Sequence, residues 1–517
     1  MEERQSFETK VGEEEEEEEE SEEESEEETE SETDDEEEKQ LWKACSDGNV
    51  EEVVELLEYK QINTNWQDYK YSRTPFYRAC FFGHIEIVKI MLSDERVDVN
   101  QQQSQDATPF FIACEKGHLE IVKLLLNNER VDDINQGNDY GSTPFLMACW
   151  EGHIEIVKML LNDERVDFNQ KDNADRTPFY VTCEKGHIEI AKLLLSDERL
   201  DIDEENDDGE TPFYIACKKG HLEIVKLLLR DERIDINKVD NNEATPFYIV
   251  CQEGHIDIMK LLLNDQRVDF NKANEDSRIP FYIACEKGRL EIVKLLLSDE
   301  RVDINKVDNN EATPFYIACY QGHIEIVKIL LNDNRVDKTQ TENDYWSSFW
   351  MACHNGHLEN VELLLNDERV DINKANYVDW TPFYIACQEG HIEIVNLLLN
   401  SQRVDINQAT NIGATPFYIA CEKGHIEIVK LLLNDSRVDV NKALNDGSTP
   451  FLIACGNGHI EIVKQLLNEK QISVRKKNKE GKSGIDISKS NNHSEIMKLI
   501  QEFDTGKFPL TYYTTFC

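Results

Sequence analysis

Hydrophobic and polar positions recur along this chain with a period of 34 residues. The clearest copy, residues 415–448, reads TPFYIACEKGHIEIVKLLLNDSRVDVNKALNDGS, and the next copy begins at Thr449. Each copy has two short apolar stretches separated by a glycine, and a polar, turn-rich stretch follows them. Self-similarity at a fixed period of this size indicates a protein built of stacked structural repeats.

The pattern predicts two helices in each copy. Thr415 can accept a hydrogen bond from a free amide at a helix start, and Pro416 suits the first helical position because its missing N–H costs nothing there. Gly424 is expected to end this first helix in the left-handed conformation. The second helix, residues 426–434, is apolar around most of its circumference, so it must be buried between neighbours. The polar stretch after it predicts a hairpin-like loop.

One copy cannot bury its own apolar surface. Two helices of this length are marginal in water on their own, whereas stacked copies each cover the exposed side of the one before. The sequence therefore predicts an all-α solenoid.

The repeat array is predicted to span residues 41–500. Residues 41–66 lack Thr-Pro and form an N-terminal cap repeat, residues 67–473 hold twelve full repeats, and residues 474–500 form a degenerate C-terminal cap repeat. A short tail, 501–517, follows. End repeats need a polar outer face, which the two caps supply. The proline position of the full repeats falls at Pro75, Pro109, Pro144, Pro178, Pro212, Pro246, Pro280, Pro314, Ser348, Pro382, Pro416 and Pro450.

Two full repeats depart from the pattern at the start of their first helix. One has Ile279 where the others have threonine and Arg289 where they have histidine, so it lacks the capping hydroxyl. The other reads WSSFWMACHNGH, in which Ser348 replaces the proline and Ser347 can still cap the helix. Both junctions are expected to be weak points of the stack, since the stability of a solenoid is a sum of local terms.

The copy TPFYIACEKGHIEIVKLLL…VDVN resembles the ankyrin repeat, whose signature is T-P-L-H-x-A-A-x-x-G-H followed by E-I-V-x-L-L-L and D-V-N. Phenylalanine replaces the first leucine, tyrosine usually replaces the histidine after it, and cysteine replaces the second alanine. A further departure, the segment NDSR or NDER, lengthens the period from about 33 to 34 residues. The resemblance implies an ankyrin-repeat solenoid of about 14 helix-turn-helix units with hairpin loops.

The first 40 residues differ in composition from the repeats. They hold 24 acidic and 3 basic residues, in a chain whose net charge is −49. Such a segment cannot bury enough apolar area to offset the entropy of ordering it, so residues 1–40 are predicted to be disordered. The segment either solubilises the chain or acts as an acidic arm for a basic partner. In the second case phosphorylation would switch it, at Ser21, Ser25, Thr29, Ser31 or Thr33.

The overall charge and hydropathy exclude two classes of function. The acidic balance argues against a nucleic-acid binder, which needs a basic footprint on the phosphates. No segment approaches 18 consecutive apolar residues, and the N-terminal MEERQSFETK lacks the apolar core of a signal peptide. The protein is therefore expected in the cytoplasm, without membrane insertion. The nucleus is the alternative if the basic cluster 475–479 acts as an import signal rather than a solvated loop.

Cysteine occupies one position in nearly every repeat. Equivalent atoms in adjacent stacked helices lie about 8–10 Å apart, whereas a disulfide needs Cα atoms within about 7 Å. The repeat cysteines are therefore predicted to be free, small, buried side chains, which fits a reducing compartment. They are Cys45, Cys80, Cys114, Cys149, Cys183, Cys217, Cys251, Cys285, Cys319, Cys353, Cys387, Cys421 and Cys455.

Most repeats also carry the pair Cys-x3-His, as in Cys114 with His118. A zinc site needs about four ligands around one point, but each repeat offers two and the next pair is a helix spacing away. A Cys–His nucleophile is disfavoured by the same periodicity, because a catalytic constellation is singular and this pair recurs. The sequence predicts no metal, no cofactor and no enzymatic activity.

Function in a repeat protein is expected where the copies differ. The family resemblance implies that partners bind the concave face, built from hairpin tips and the exposed side of the first helix. Most copies have small or charged residues there, but some have large aromatic side chains, which are favoured as interface anchors. The candidate partner-binding residues are Tyr320, Trp346, His354, Trp380, Phe81, Phe82 and Trp150. The alternative is that they pack on neighbouring hairpins.

Four of these candidates come from three successive repeats. Trp346 and Trp380 share the position before Thr-Pro, and Tyr320 and His354 share the first position after the cysteine. Stacking predicts that the four form one patch where the hairpins meet the concave face. The pair Phe81–Phe82 is the second candidate.

The sequence as a whole predicts a scaffold or adaptor, a monomer that binds a protein partner on the concave face. The alternative is a regulatory or targeting subunit of a protein phosphatase or kinase complex, with the chemistry on the partner.

Overall fold

A computed structural model describes residues 35–338 and 346–508 of the chain. These residues form 28 α-helices and no β-strand, so the all-α prediction is confirmed. The disorder predicted for residues 1–40 falls outside the described residues, apart from its last six positions. The five phosphorylation candidates and Cys517 also lie outside them.

Residues up to Asn173 form one compact unit. Its described part holds the helices α1 (Glu36–Asp47), α2 (Val50–Leu57), α3 (Pro75–Phe82), α4 (Ile85–Leu92), α5 (Pro109–Glu115), α6 (Leu119–Leu126), α7 (Pro144–Glu151) and α8 (Ile154–Leu161). Odd-numbered helices are the first helices of the repeats, and even-numbered helices are the second. Within the unit each helix packs on its counterpart in the next repeat and on its partner in the same repeat.

Residues from Ala174 onwards form a second compact unit with the same packing. Its first helices are α9 (Pro178–Lys185), α11 (Pro212–Lys219), α13 (Pro246–Glu253), α15 (Pro280–Glu286), α17 (Pro314–Gln321), α19 (Ser348–His354), α21 (Pro382–Glu389), α23 (Pro416–Lys423), α25 (Pro450–Asn457) and α27 (Gly484–Ser490). Its second helices are α10 (Ile188–Leu195), α12 (Leu222–Leu228), α14 (Ile256–Leu263), α16 (Leu290–Leu297), α18 (Ile324–Asn332), α20 (Leu358–Leu365), α22 (Ile392–Leu399), α24 (Ile426–Leu433), α26 (Ile460–Asn468) and α28 (Ser494–Asp504).

The ends of the described array differ slightly from the predicted limits 41–500. Helix α1 begins at Glu36, so the last residues of the acidic segment are helical. Helix α28 ends at Asp504. In the last repeat Ser483 takes the threonine position and forms a reciprocal capping box with Asp486, which stabilises a helix start without proline.

Threonine caps the first helices of the regular repeats, as predicted. The Thr415 hydroxyl accepts a hydrogen bond from the Tyr418 amide at 3.2 Å. Ile279 makes no side-chain capping bond, whereas Ser347 Oγ accepts from the Trp350 amide at 3.1 Å. Ile279 is instead fully buried, so apolar burial offsets part of the lost cap.

All thirteen repeat cysteines are free and buried, as predicted. The phenylalanine that follows each repeat proline is buried with them, as at Phe417. Burial raises the pKa of the Cys421 thiol well above its usual range, and that of Cys455 to about 12. These thiols are therefore core side chains that stay protonated at neutral pH.

In most repeats a histidine follows the helix-ending glycine and joins its repeat to the preceding one. Nε2 of His459 donates to the carbonyl oxygen of Glu422 at 2.9 Å. The ring fills the space beside Gly424, where an added Cβ would come within 2.7 Å of His459 Cε1 and φ is +85°. Glycine alone fits both requirements. The same bond is made by His84, His118, His153, His221, His255, His323, His357, His391, His425 and His493.

This bond accounts for the Cys-x3-His spacing. The cysteine lies in the core, and the histidine points back to the preceding repeat. Among the described residues, no group of three or more His, Cys, Asp and Glu side chains is placed to hold a metal ion.

Successive hairpins are joined through an asparagine side chain. Asn373 Nδ2 donates to the Arg403 carbonyl oxygen at 2.7 Å, and its Oδ1 accepts from the Asp405 amide at 2.9 Å. We call this recurring arrangement the asparagine ladder. Its members are Asn65, Asn100, Asn135, Asn237, Asn271, Asn305, Asn373, Asn407 and Asn441.

The segment NDER supplies a second bond between repeats, which we call the arginine clamp. Arg369 donates to the Leu331 carbonyl oxygen at 2.8 Å, at the end of the preceding second helix, and its guanidinium also pairs with Asp367. A carbonyl in the last turn of a helix has no partner within that helix. Equivalent clamps use Arg96, Arg130, Arg165, Arg267, Arg301, Arg335, Arg403 and Arg437. The NDER segment, which lengthens the repeat to 34 residues, therefore contributes to the packing of one repeat on the next.

Candidate partner-binding surface

The candidate surface lies at the start of α19 and α21 and at the ends of α17 and α19. Trp346 and Trp380 come just before the capping residues Ser347 and Thr381, so the helix starts fix their backbones. Tyr320 lies in the last turn of α17, and His354 ends α19. All four residues belong to the second unit.

Trp346 packs within the hairpin region rather than standing free. Its ring centroid lies 4.3 Å from that of Trp350, and the edge-to-face contact with Tyr377 spans 6.2 Å. Trp346 is half-buried, whereas Tyr377 is 66% exposed. Trp346 therefore packs on neighbouring aromatic rings and keeps part of its surface accessible.

Trp350 joins the two hairpins. It occupies the usual tyrosine position and is only 3% exposed. Its Nε1–H donates to the Trp380 carbonyl oxygen at 2.9 Å. In a regular repeat the tyrosine hydroxyl reaches the next hairpin instead, as Tyr282 does when it donates to Asp308 at 3.1 Å. The Trp350 indole thus donates to a backbone carbonyl of the next hairpin, where the tyrosine of a regular repeat donates to a side-chain carboxylate.

Trp380 and His354 extend this cluster on either side. The Trp380 ring packs on Tyr384 with a centroid distance of 5.6 Å, and Trp380 is half-buried. The His354 ring stacks on Trp350 at 5.1 Å. His354 Nδ1 makes no hydrogen bond in the described part of the chain and lies 3.9 Å from Glu389 Oε1.

Tyr320 lies in the preceding repeat, directly after Cys319, and is 39% exposed. Its carbonyl oxygen accepts from Asn355 Nδ2 and from His357 Nε2, both at 2.8 Å. These bonds hold the end of α17 against the following repeat. We call Tyr320, Trp346, His354, Tyr377 and Trp380 together the aromatic surface.

Two carboxylates near the aromatic surface have neither lysine nor arginine as a partner. Within residues 346–508, Glu389 and Glu422 form no ion pair with either residue type, but Glu389 lies 3.9 Å from His354 Nδ1 and accepts a hydrogen bond from Gln388 Nε2 at 2.9 Å. Glu422 acts on Tyr384: burial is the main cause that raises the pKa of this tyrosine, and the charge of Glu422 adds to the shift. The aromatic surface is therefore bordered by negative charge that no lysine or arginine within residues 346–508 neutralises.

A family model described as "Ankyrin repeats (3 copies)" matches the chain in overlapping stretches. They are residues 25–103, 92–172, 164–240, 232–308, 297–376, 349–443 and 436–508. The chain belongs to the ankyrin-repeat family. None of the curated proteins compared with the chain matches it.

Ankyrin repeats are generally protein–protein interaction modules, and proteins built from them are typically non-catalytic. None of the described helices is long and apolar enough to cross a membrane. The functional question for this ankyrin array is therefore which part of its surface a protein would contact.

The first ankyrin repeats provide the other candidates, Phe81, Phe82 and Trp150. Phe81 and Phe82 pack on each other with a centroid distance of 5.0 Å. Cations of the chain itself lie over these rings: Arg78 lies 4.5 Å from the Phe82 centroid, and Lys116 lies 4.8 Å from that of Phe81. Phe81, Phe82 and Trp150 are all half-buried. This end of the array thus differs from the aromatic surface in carrying positive charge over its rings.

Sequence reasoning missed Tyr377 and Glu389, although both leave a signal. Tyr377 takes the hairpin position that Asn309 takes two repeats earlier, so an alignment of the ankyrin copies would have marked it. Glu389 occupies a position that is charged in many copies, and only its location beside His354 distinguishes it.

The repeat that contributes Trp346 also has polar groups in its core. Asn360 takes the isoleucine position of the second helix, is 1% exposed, and neither its Oδ1 nor its Nδ2 makes a hydrogen bond in the described part of the chain. Ser348 is also buried, with its hydroxyl beside the Cys319 thiol. Unsatisfied buried polar groups destabilise a fold. The ankyrin repeat that carries Trp346 on its surface is therefore expected to have a less stable core than its neighbours.

Proposed function

We propose that this chain is a non-catalytic scaffold or adaptor that binds a protein partner through the aromatic surface. The observation that carries the proposal is the concentration of large aromatic side chains in three successive repeats, at positions where most other copies have small, polar or charged residues. The hairpins and first helices of the second unit present Trp346, Tyr377 and Trp380 together.

Physical reasons favour this surface over the rest of the array. Tryptophan and tyrosine are enriched among residues that dominate binding energy, because they bury a large area at low cost in side-chain entropy. The Trp346 ring packs on Trp350 and the Trp380 ring packs on Tyr384, so little ordering of these side chains would be needed on binding. A pre-ordered aromatic cluster of this kind suits an interface core.

The test compares variants of the full chain for capture of a partner from native cytosol. In Trp346→Ala with Trp380→Ala, the affinity for the captured partner is expected to fall by roughly thirtyfold or more, since removal of two anchors costs at least about 2 kcal/mol. Trp350 stays in place, so the bond to the Trp380 backbone is kept. Affinity is measured by calorimetry, and helical content by circular dichroism.

Tyr140→Ala is the matched control. Tyr140 is an exposed hairpin aromatic in the first unit, and its loss should leave the affinity unchanged. A double variant that folds normally and binds as tightly as the parent would exclude the aromatic surface. Phe81 and Phe82 would then be the next residues to replace.

A further inference from the structure

We propose that the aromatic surface receives arginine or lysine side chains from a basic segment of the partner protein. This inference rests on the proposed function and adds the chemistry of the partner. Three features of the described residues support it: the distribution of cations over aromatic rings, the pairing of carboxylates, and the net charge.

Several other aromatic side chains of the described residues have a cation of the chain over their ring. Arg78 lies over Phe82, Arg301 lies 4.3 Å from the Phe270 centroid, and Arg278 lies 5.5 Å from that of Tyr282. In the part of the chain that the structure describes, no lysine or arginine lies over Trp346 or Trp380. Tryptophan is nevertheless the aromatic side chain with the strongest attraction for a cation.

The carboxylates show the same contrast. At the first position after the repeat cysteine, Glu184 lies 3.7 Å from Lys219 and Glu286 lies 3.9 Å from Arg278. Glu422 holds the same position three repeats after Tyr320 and has no such partner within residues 346–508. Glu389 likewise has no lysine or arginine partner in that part of the chain; it lies 3.9 Å from His354 Nδ1, and its side chain is 35% exposed. A cation supplied by a partner would complete both kinds of interaction at once.

The chain as a whole favours a basic partner. Its net charge of −49 attracts positively charged proteins over distances near the Debye length. Long-range attraction alone has little specificity, so the rings and the two carboxylates would select where the basic segment binds. Arginine suits this surface better than lysine, because its planar guanidinium both stacks on indole rings and pairs with carboxylates.

The test uses the full chain labelled with 5-fluorotryptophan and followed by ¹⁹F NMR at about 150 mM salt, where the Debye length is about 8 Å. The probe is an acetylated and amidated Gly-Arg repeat peptide with three arginines. A second peptide has citrulline in place of each arginine, which keeps the shape and removes the charge. Single Trp→Phe variants assign the resonances.

The arginine peptide is expected to shift the Trp346 and Trp380 resonances, and the citrulline peptide is expected to leave them in place. Glu389→Gln with Glu422→Gln should weaken the arginine peptide by about 2- to 30-fold, the range of a cation interaction on a partly buried surface. Glu86→Gln with Glu120→Gln is the control, since these exposed glutamates pair with Lys89 and Lys123 in the first unit. This control should not change the affinity.

Three outcomes would overturn the inference. The first is that the citrulline peptide binds as tightly as the arginine peptide. The second is that the Trp42 resonance shifts as much as the Trp346 resonance. The third is that, without peptide, the Trp346 and Trp380 resonances move when the chain is diluted. The last would mean that the basic residues 475–479 of a second copy occupy the surface, and sedimentation would then show a dimer. The arginine peptide could fail to bind while Trp346→Ala with Trp380→Ala loses affinity for the captured partner. In that case the proposed function stands, and only the inference that the partner supplies a cation is wrong.

Discussion

Asp203 takes the position that asparagine holds in the asparagine ladder. An asparagine there donates its Nδ2–H to a backbone carbonyl, and a carboxylate has no proton to donate. Asp203 Oδ1 is buried and makes no hydrogen bond in the described part of the chain. Burial raises the pKa of this carboxyl to about 6. The positive charge of Lys238 lowers the pKa, but by less than burial raises it. Asp235 and Asp201 are the other charged groups that act on it.

We predict that Asp203 makes stability depend on pH. Its pKa in the folded chain lies above the ordinary 3.8, so the folded state binds this proton more tightly than the unfolded state. Ionised Asp203 therefore destabilises the fold above about pH 6, and this cost disappears as the pH falls from about 6 towards 3.8. Asp203→Asn should stabilise the chain at pH 7.5 by about 1 kcal/mol, a value reduced for solvent screening.

Thermal unfolding of parent and variant at pH 7.5 and pH 5 measures this effect. The gain in melting temperature should be clear at pH 7.5 and smaller at pH 5. Asn237→Asp is the matched control, because it places a carboxylate at a regular position of the ladder and should create the same pH dependence. A gain from Asp203→Asn that is equal at both pH values would contradict the assignment.

The repeat thiols are expected to react slowly with alkylating reagents. All thirteen are buried, and burial keeps them protonated, whereas the thiolate is the reactive form. Iodoacetamide labelling of a Cys517→Ser variant, counted by mass spectrometry, should modify none of them rapidly at pH 7.5 and all thirteen in denaturant. Rapid labelling of several thiols in the folded chain would show that the first helices open readily.

At the scale of the element, we predict that the repeat of α19 and α20 is a weak point of the second unit. Its helix start is capped by Ser347, so the expected weakness comes from the core, where the buried Asn360 has two unpaired polar atoms. The repeat that starts at Ile279 differs, since the lost cap there is accompanied by a buried isoleucine. A weak repeat in a solenoid opens locally, because stability is summed over neighbouring interfaces.

Asn360→Ile is predicted to stabilise this repeat by about 1–3 kcal/mol, the cost of leaving a buried polar group unsatisfied. Hydrogen exchange should show α19 and α20 opening before α23 and α24 in the parent, and this difference should shrink in the variant. Ile394→Asn is the reverse control, as Ile394 holds the same position in the next repeat and is buried. Equal protection of all four helices in the parent would be evidence against a local weak point.

The local structure of each element was predictable from the sequence, and the contacts between elements were not. Thr415, Pro416 and Gly424 define the first helix through short-range rules, and these rules held. The bond from Trp350 to the Trp380 carbonyl depends on how one hairpin lies on the next, which no single repeat encodes. The cost of Asp203 becomes visible only once the asparagine ladder is seen, since aspartate and asparagine are equally common in turns.

At the scale of the whole molecule, negative charge is distributed unevenly. Residues 1–40 contribute −21 to the net charge of −49. Their composition leaves little apolar area to bury, so this segment is expected to contribute electrostatic repulsion rather than packing. Because α1 begins at Glu36, the acidic segment can be removed up to residue 34 without cutting a described helix.

Deletion of residues 1–34 is predicted to leave the melting temperature nearly unchanged at about 150 mM salt, where surface charges are screened beyond about 8 Å. Binding of a basic partner by the shortened chain should depend less on salt than binding by the full chain. Calorimetry across a salt series measures both quantities. A large drop in melting temperature after the deletion would mean that the acidic segment packs on the repeats.

The bonds between repeats also bear on how such a chain changes in evolution. The asparagine ladder, the histidine bond and the arginine clamp join residues that are 30, 37 and 38 positions apart in a regular repeat. If one 34-residue block inside a unit were removed or duplicated, each asparagine, histidine and arginine side chain would still face the equivalent backbone carbonyl of a neighbouring repeat. Gene recombination in whole repeats can therefore lengthen or shorten the binding surface without any new interface, and repeat number alone would set the distance between two recognition sites on one unit.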